Sequence, residues 1–108
     1  MTSKPFGLRY LGIFEDDLAA AVDYIAVKLK NPQAAAKLID DLEEAVERRA
    51  VDPLGFAPYP SGTPRPKPYY ALRVRNYIAF YVIEGRTIEF RRFLWSRRDI
   101  TRLLEGLD

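Results

Sequence analysis

The side chains able to act on another molecule are arginines and tyrosines crowded into the last third of the chain. They run from Tyr69 and Tyr70 through Arg73, Arg75 and Tyr77, then Arg91, Arg92 and Trp95, to Arg97 and Arg98. Guanidinium groups grip phosphate or carboxylate through two parallel hydrogen bonds, and exposed rings beside them can stack a base. No histidine and no cysteine accompany them. Their absence removes the usual general base near neutral pH, the commonest metal ligand, disulfides and thiolate metal sites. A Gly-rich phosphate loop and a Gly-x-Ser-x-Gly elbow are also missing. A binding role would use Arg73, Arg75, Arg91, Trp95, Arg97 and Arg98 as a target- or anion-binding set. No cofactor is implied.

The carboxylates point elsewhere. Asp16, Asp17, Asp40, Asp41, Glu43 and Glu44 fall at spacings that suit a solvated helix face and make no oxygen cage, so no metal site is expected. Residues 1–54 carry 7 Lys/Arg and 10 Asp/Glu, a balance of −3, whereas residues 55–108 carry 10 and 5, a balance of +5. Either two surfaces meet different partners, or acidic helices and a basic sheet neutralise each other.

Placing these groups is the work of a few short elements. Phe6 to Leu11 alternates as a short opening strand. Glu15-Asp16-Asp17 then sets negative charge at a helix start, followed by Leu18, Ala21, Val22, Ile25 and Leu29 at amphipathic spacing. Asn31-Pro32 ends that helix and starts the next, since Asn caps well and Pro fits the first helical position. The second helix is predicted to about Arg49, with Ala35, Leu38, Ile39, Leu42, Ala45 and Val46 on one side. So short a connection makes the two helices an antiparallel hairpin.

Residues 52–68 hold six of the eight prolines and read as a stiff extended loop, with Arg65 and Lys67 exposed. Three antiparallel strands follow, turned at Arg75-Asn76 and at Glu84-Gly85-Arg86. Period-2 alternation sets Arg73 and Arg75 on one face of the first of them and Leu72 and Val74 on the other. In the last strand it puts Ile88, Phe90, Arg92 and Leu94 against the helices, and Glu89, Arg91, Phe93 and Trp95 on the open side. A buried guanidinium must be paired, so Arg92 needs a helix carboxylate or Asp99. Phe80, Phe90 and Tyr81 read as core, and Tyr77 and Trp95 as surface rings. A short helix spans Arg97 to Leu107. Its opening arginines oppose the macrodipole, which suits an external anion; the alternative for Arg98 is an ion pair with Asp99 or Asp52.

At 108 residues and 48% hydrophobic, the chain is expected to form one domain, residues 1–108, with a single modest core. No apolar run approaches the ~20 residues that span a bilayer, and no signal-peptide pattern opens the chain, so a cytoplasmic location without a membrane partner is expected. The fold class is α+β in the order β-α-α-β-β-β-α, an antiparallel sheet packed on one face by a helical hairpin, with a short C-terminal helix.

Asp16-Asp17-Leu18, Tyr24-Ile25, Asn31-Pro32, Ala34-Ala35, Leu72-x-Val74-x-Asn76-Tyr77-x-x-Phe80-Tyr81, Arg92-x-Leu94 and Arg97-Arg98-Asp99 together resemble toxins of the RelE/ParE superfamily, over residues 6–104. The resemblance implies the toxic partner of a bacterial type II toxin–antitoxin pair, in a hetero-oligomer with a cognate antitoxin. Leu18, Val22, Leu42 and Val46 would be antitoxin-binding, with the antitoxin folding onto the hairpin and the sheet edge. RelE-like members cut mRNA on the ribosome; ParE-like members inhibit DNA gyrase. Positions where RelE-like toxins place a basic or catalytic residue hold Ile78, Leu103, Tyr69 and Ala71 here, and only Arg97 matches a catalytic arginine. The likeness is therefore ParE-like more than RelE-like. It implies a plasmid-stabilising growth inhibitor of gyrase; the alternative it implies is a ribosome-dependent endoribonuclease, whose catalytic residues would be Arg73, Tyr77, Arg97 and Arg98, the cations stabilising the phosphodiester transition state.

Overall fold

The structure is a computed structural model and describes residues 4–60 and 67–105. The elements are β1 (Gly7–Tyr10), α1 (Gly12–Asp23) prolonged by a π-helical turn (Tyr24–Lys28), α2 (Pro32–Val51), β2 (Tyr70–Val74), β3 (Tyr77–Glu84), β4 (Thr87–Trp95) and α3 (Ile100–Glu105). This is the expected order. Strands β2, β3 and β4 form the expected antiparallel meander, while β1 lies parallel to β4 and gives the sheet order β1-β4-β3-β2. A parallel neighbour requires a long crossover, and the helical hairpin supplies one.

Helix α1 starts at Gly12, upstream of Glu15. Its cap residue Leu11 offers no side-chain bond, but the Leu11 N–H donates to the Phe90 carbonyl at 3.0 Å, so the helix start is pinned to β4. Asp16 and Asp17 thereby fall beyond the first turn and are free for other work. At the other end the ladder widens: the Leu29 N–H donates to Tyr24 O and the Asn31 N–H to Ile25 O, both at 3.1 Å. Lys30 then takes a left-handed φ of 53° and reverses the chain. The start of α2 is as expected, with Asn31 Oδ1 accepting from the Ala34 N–H at 3.1 Å and Pro32 in the first turn.

The sheet is covered on both sides. Phe14, Leu38, Leu42, Val46, Leu72, Val74, Tyr81, Ile88, Phe90 and Phe93 are buried between it and the hairpin; Tyr69, Ile78, Phe80, Val82 and Leu94 are buried with Ile100 and Leu104 of α3 on its reverse. Each fully buried Phe or Leu contributes about 1.5–3 kcal/mol. Phe80, Phe90 and Tyr81 are core, as expected.

One irregularity changes the reading of β4. Phe80 lies opposite Arg92 and Tyr81 opposite Phe90, which leaves Arg91 without an opposite residue. A bulge of one residue shifts the alternation beyond it. Phe93, expected on the open side, therefore joins Ile88 and Phe90 under the hairpin, and Leu94, expected there, packs with α3. The two hairpin turns share a left-handed first residue, Arg75 at φ 56° and Gly85 at 59°. Glycine adopts this freely, whereas an arginine is strained by about 1 kcal/mol.

Helix α3 (Ile100–Glu105) starts three residues later than predicted, with the Arg102 N–H donating to Asp99 Oδ1 at 3.4 Å. Leu107 and Arg65 lie outside the described residues. Among the described residues no helix is long and apolar enough to cross a membrane.

Candidate partner groove and arginine surface

A groove of about 620 Å³ opens where the tip of the hairpin overhangs the end of the sheet. Its space comes from small side chains, Ala20 and Ala21 of α1 and Ala34 of α2. Tyr24, Ile25 and Leu29 from the widened turn form one wall; Tyr77, Phe93 and Trp95 from the strands form the other. Tyr24, Leu29 and Trp95 are 52%, 56% and 46% exposed, a large apolar fraction to leave in water at one place. Tyr77 stacks on Phe93 at 5.0 Å with the rings 7° from parallel.

The groove's charge is one-sided. Asp17 is its only carboxylate among the lining residues, and it is spent: Oδ2 accepts from Arg92 Nε at 2.7 Å and from the Phe93 N–H at 3.0 Å, and Oδ1 accepts from Arg92 Nη2 at 2.9 Å. The bond to Asp17 raises the Arg92 pKa against the opposing effect of burial. The expectation that Arg92 requires a helix carboxylate holds, with Asp17 as the partner. Arg75 and Arg98 remain on the rim. An apolar trough with cationic edges is shaped for an amphipathic segment carrying acidic flanks.

The predicted cationic face is largely neutralised from within. Arg75 leaves the strand at its turn, and its Nε donates to Asp41 Oδ2 at 2.5 Å, which holds the Asp41 carboxyl below its ordinary value of 3.8. Arg75 therefore does not share an open face with Arg73. Arg91 is not open either: its side chain is 18% exposed, donates to the Tyr69 hydroxyl at 3.3 Å and lies 3.8 Å from Glu89. Lys67 pairs with Glu84. Arg86, in the β3–β4 turn, lies over the Phe6 ring. Arg49, at the end of α2, donates to the Tyr81 hydroxyl at 2.9 Å and covers the Phe56 ring. Arg73, Arg97 and Arg98 are exposed, and their side chains make no hydrogen bond or ion pair among the described residues. Neither pairing expected as the alternative for Arg98, with Asp99 or Asp52, is formed.

Other assignments also move. Leu42 and Val46 are 4% and 2% exposed because they fasten α2 to the sheet, so they are not an outward surface for a partner. Leu18 and Val22 are half-buried, Leu18 against the same core. The residues missed by pattern reasoning are Tyr24, Leu29 and Ala34. The signal for Tyr24 and Leu29 was an excess of apolar side chains just before Asn31-Pro32, more than one helical stripe can bury. Tyr77 is half-buried, and loss of water around its hydroxyl raises its pKa, with the neighbouring Tyr24 adding to the rise.

A four-stranded sheet under a helical hairpin, with an apolar groove and cationic rim, is a surface suited to another macromolecule. The chain matches the family model of the ParE toxin of type II toxin–antitoxin systems over residues 8–100 and belongs to that family. Two solved structures share its fold. One, from the chromosomal ParDE system of P. aeruginosa, has a TM-score of 0.68 at 24% identity and covers 86% of this chain and 98% of that one. The other, from the E. coli DinJ–YafQ toxin–antitoxin complex, has a TM-score of 0.50 at 14% identity and covers 85% and 93%. No match is found among curated proteins.

Proposed function

We propose that this toxin arrests growth by binding DNA gyrase, making and breaking no bonds itself, and that a cognate antitoxin silences it by filling the groove. The antitoxin segment would be amphipathic, with apolar side chains against Leu29, Tyr77 and Trp95 and a carboxylate towards Arg98. Arg73, Arg97 and Arg98, with Trp95, are the target-facing residues in this reading.

The observation that carries it is the separation of the nuclease set. Arg73 pairs across the sheet with Ile78, which is buried beneath α3, whereas Tyr77 stacks under the hairpin on Phe93. Facing residues of an antiparallel pair share a side of the sheet, so Arg73 and Tyr77 project to opposite sides. A tyrosine whose pKa is pushed up by burial is also a poor proton acceptor near neutral pH. Family membership favours gyrase as the target.

The test is one toxin preparation in two assays, gyrase supercoiling and in vitro translation with primer extension on the mRNA. Inhibited supercoiling with intact mRNA supports the proposal. Codon-positioned cuts that Arg97→Ala abolishes, with supercoiling untouched, would replace it with the endoribonuclease reading.

A further inference from the structure

We propose that the open edge of β1 docks an extended peptide segment with Lys or Arg at every second position, added to the sheet as a further strand. The site shares no residue with the groove and does not rest on the gyrase reading.

A sheet of order β1-β4-β3-β2 has two edges, and the fold treats them differently. Along β2 the outward carbonyls are occupied: that of Tyr69 accepts from the Tyr59 N–H at 2.7 Å, and that of Ala71 from Arg49 Nη1 at 3.3 Å. Along β1 no such cover exists among the described residues. The Gly7 N–H donates to the Arg86 carbonyl at 2.8 Å and the Leu11 N–H to that of Phe90 at 3.0 Å, so this alternate set of amides is directed at β4. Successive peptide groups of a strand point to opposite edges, which leaves the N–H and C=O groups of Leu8 and Tyr10 facing outward. The whole strand is exposed, and it carries neither a proline nor a bulge.

The side chains beside this edge select the occupant. Leu8 and Tyr10 lie in register with Ile88 and Phe90, on the hairpin side, yet stay 43% and 39% exposed. Helix α2 runs down the same side. The Phe6 N–H donates to the Ala50 carbonyl at 2.9 Å, and the Glu43 carboxylate adds to the rise that burial gives the Tyr10 pKa. Glu43 to Ala50 is about 10 Å along a helix, and Tyr10 to Phe6 about 13 Å along a strand. Glu47, one turn beyond Glu43, therefore stands level with Leu8. Both glutamates are exposed, and neither has an ion-pair partner among the described residues. Arg86 is turned onto the Phe6 ring, and Arg9, in register with Glu89, projects to the α3 side.

On the hairpin side, a Lys or Arg of the added strand can lay its apolar stem on Leu8 or Tyr10 and reach Glu43 or Glu47 with its charge. The residues between them would face Arg9 and so should be neutral. A second copy of β1 does not fit. Continuing the sheet about a twofold axis sets both hairpins on one face and brings Glu43 and Glu47 towards their own counterparts.

The test is an amide NMR titration of full-length toxin with the peptide Lys-Thr-Lys-Thr-Lys-Thr-Lys. Shifts and slowed exchange centred on Leu8 and Tyr10 are expected. Leu8→Pro removes an outward N–H that the fold does not use and should weaken binding at least about tenfold, whereas Leu8→Ala, which keeps it, should weaken it less than about threefold. Glu43→Gln combined with Glu47→Gln should weaken it about fivefold at low salt. A Glu-Thr peptide of the same length, and the Lys-Thr peptide N-methylated throughout, should not bind. The N-methylated peptide keeps the test decisive if Leu8→Pro fails to fold. No shift at ~2 mM peptide, equal binding of either control peptide, or a toxin dimer that Leu8→Pro dissociates would overturn the proposal.

Discussion

Asp17 and Arg92, 75 positions apart, close a two-pronged ion pair at 2.7 and 2.9 Å that ties α1 to β4 beneath the groove. Both side chains are nearly covered, at 14% and 12% exposure. The same carboxylate caps the Phe93 N–H, so three donors depend on it. Removing it in Asp17→Ala strands a nearly buried guanidinium and should cost about 3 kcal/mol of unfolding free energy in urea titrations. Asp17→Asn keeps an acceptor oxygen and should cost less. Equal losses in the two variants would mean that packing, and not the ion pair, sets the effect.

Arg91 is the extra residue of the β4 bulge, and leaving it out of the ladder is what puts Phe93 under the hairpin and Leu94 against α3. Deleting Arg91 removes the bulge and leaves the pairs Tyr81–Phe90, Phe80–Arg92 and Ala79–Phe93 in register, so Phe93 stays under the hairpin and Leu94 against α3. The deletion variant should therefore keep its near-ultraviolet circular dichroism, whereas one alanine inserted between Arg92 and Phe93, which turns Phe93 towards α3 and Leu94 towards the hairpin, should abolish it. Arg91→Ala, which keeps the residue count, should retain a native spectrum.

The Arg75–Asp41 pair predicts an acid-side signature. Asp41 has a folded pKa below its ordinary 3.8, so its contribution is complete above that value and is lost as pH falls through the lower folded value. The gap in Tm between the wild-type protein and Asp41→Asn should therefore be constant from neutral pH to about 5 and close below 3.8. A gap that persists unchanged at pH 2.5 would show that the pair contributes nothing through its charge.

Leu29 is 56% exposed on the groove wall, so its loss should weaken a partner and spare the fold. Leu29→Glu is expected to reduce antitoxin affinity at least about tenfold, by calorimetry, with Tm within a few degrees of wild type. Trp95, the single tryptophan of the chain, should shift its emission to shorter wavelength as antitoxin covers it. Unchanged emission on complex formation would place the antitoxin elsewhere.

Much of this protein was legible in its residue order. Amphipathic spacing, the Asn31-Pro32 junction and the turn residues are local signals, and they located α1, α2 and the three antiparallel strands. The demand of Arg92 for a carboxylate was legible too, because the cost of a buried unpaired charge does not depend on knowing the fold. Yet local rules could not name Asp17, since α1 starts three residues before its first acid and so carries that side chain to β4.

What only the tertiary structure decided is where each charge and ring ends up. A single bulged residue exchanged Phe93 and Leu94, and a left-handed turn took Arg75 from the strand face to Asp41. Both are cooperative outcomes of packing that period-2 counting cannot contain. Composition alone determined that cations outnumber acids in the second half of the chain; it could not say which of them would be used internally. Pairing requires two groups within hydrogen-bond reach, and distance between residues remote in the chain exists only once it is folded. That is why Arg73, Arg97 and Arg98 stay available to a partner while Arg75, Arg91 and Arg92 do not.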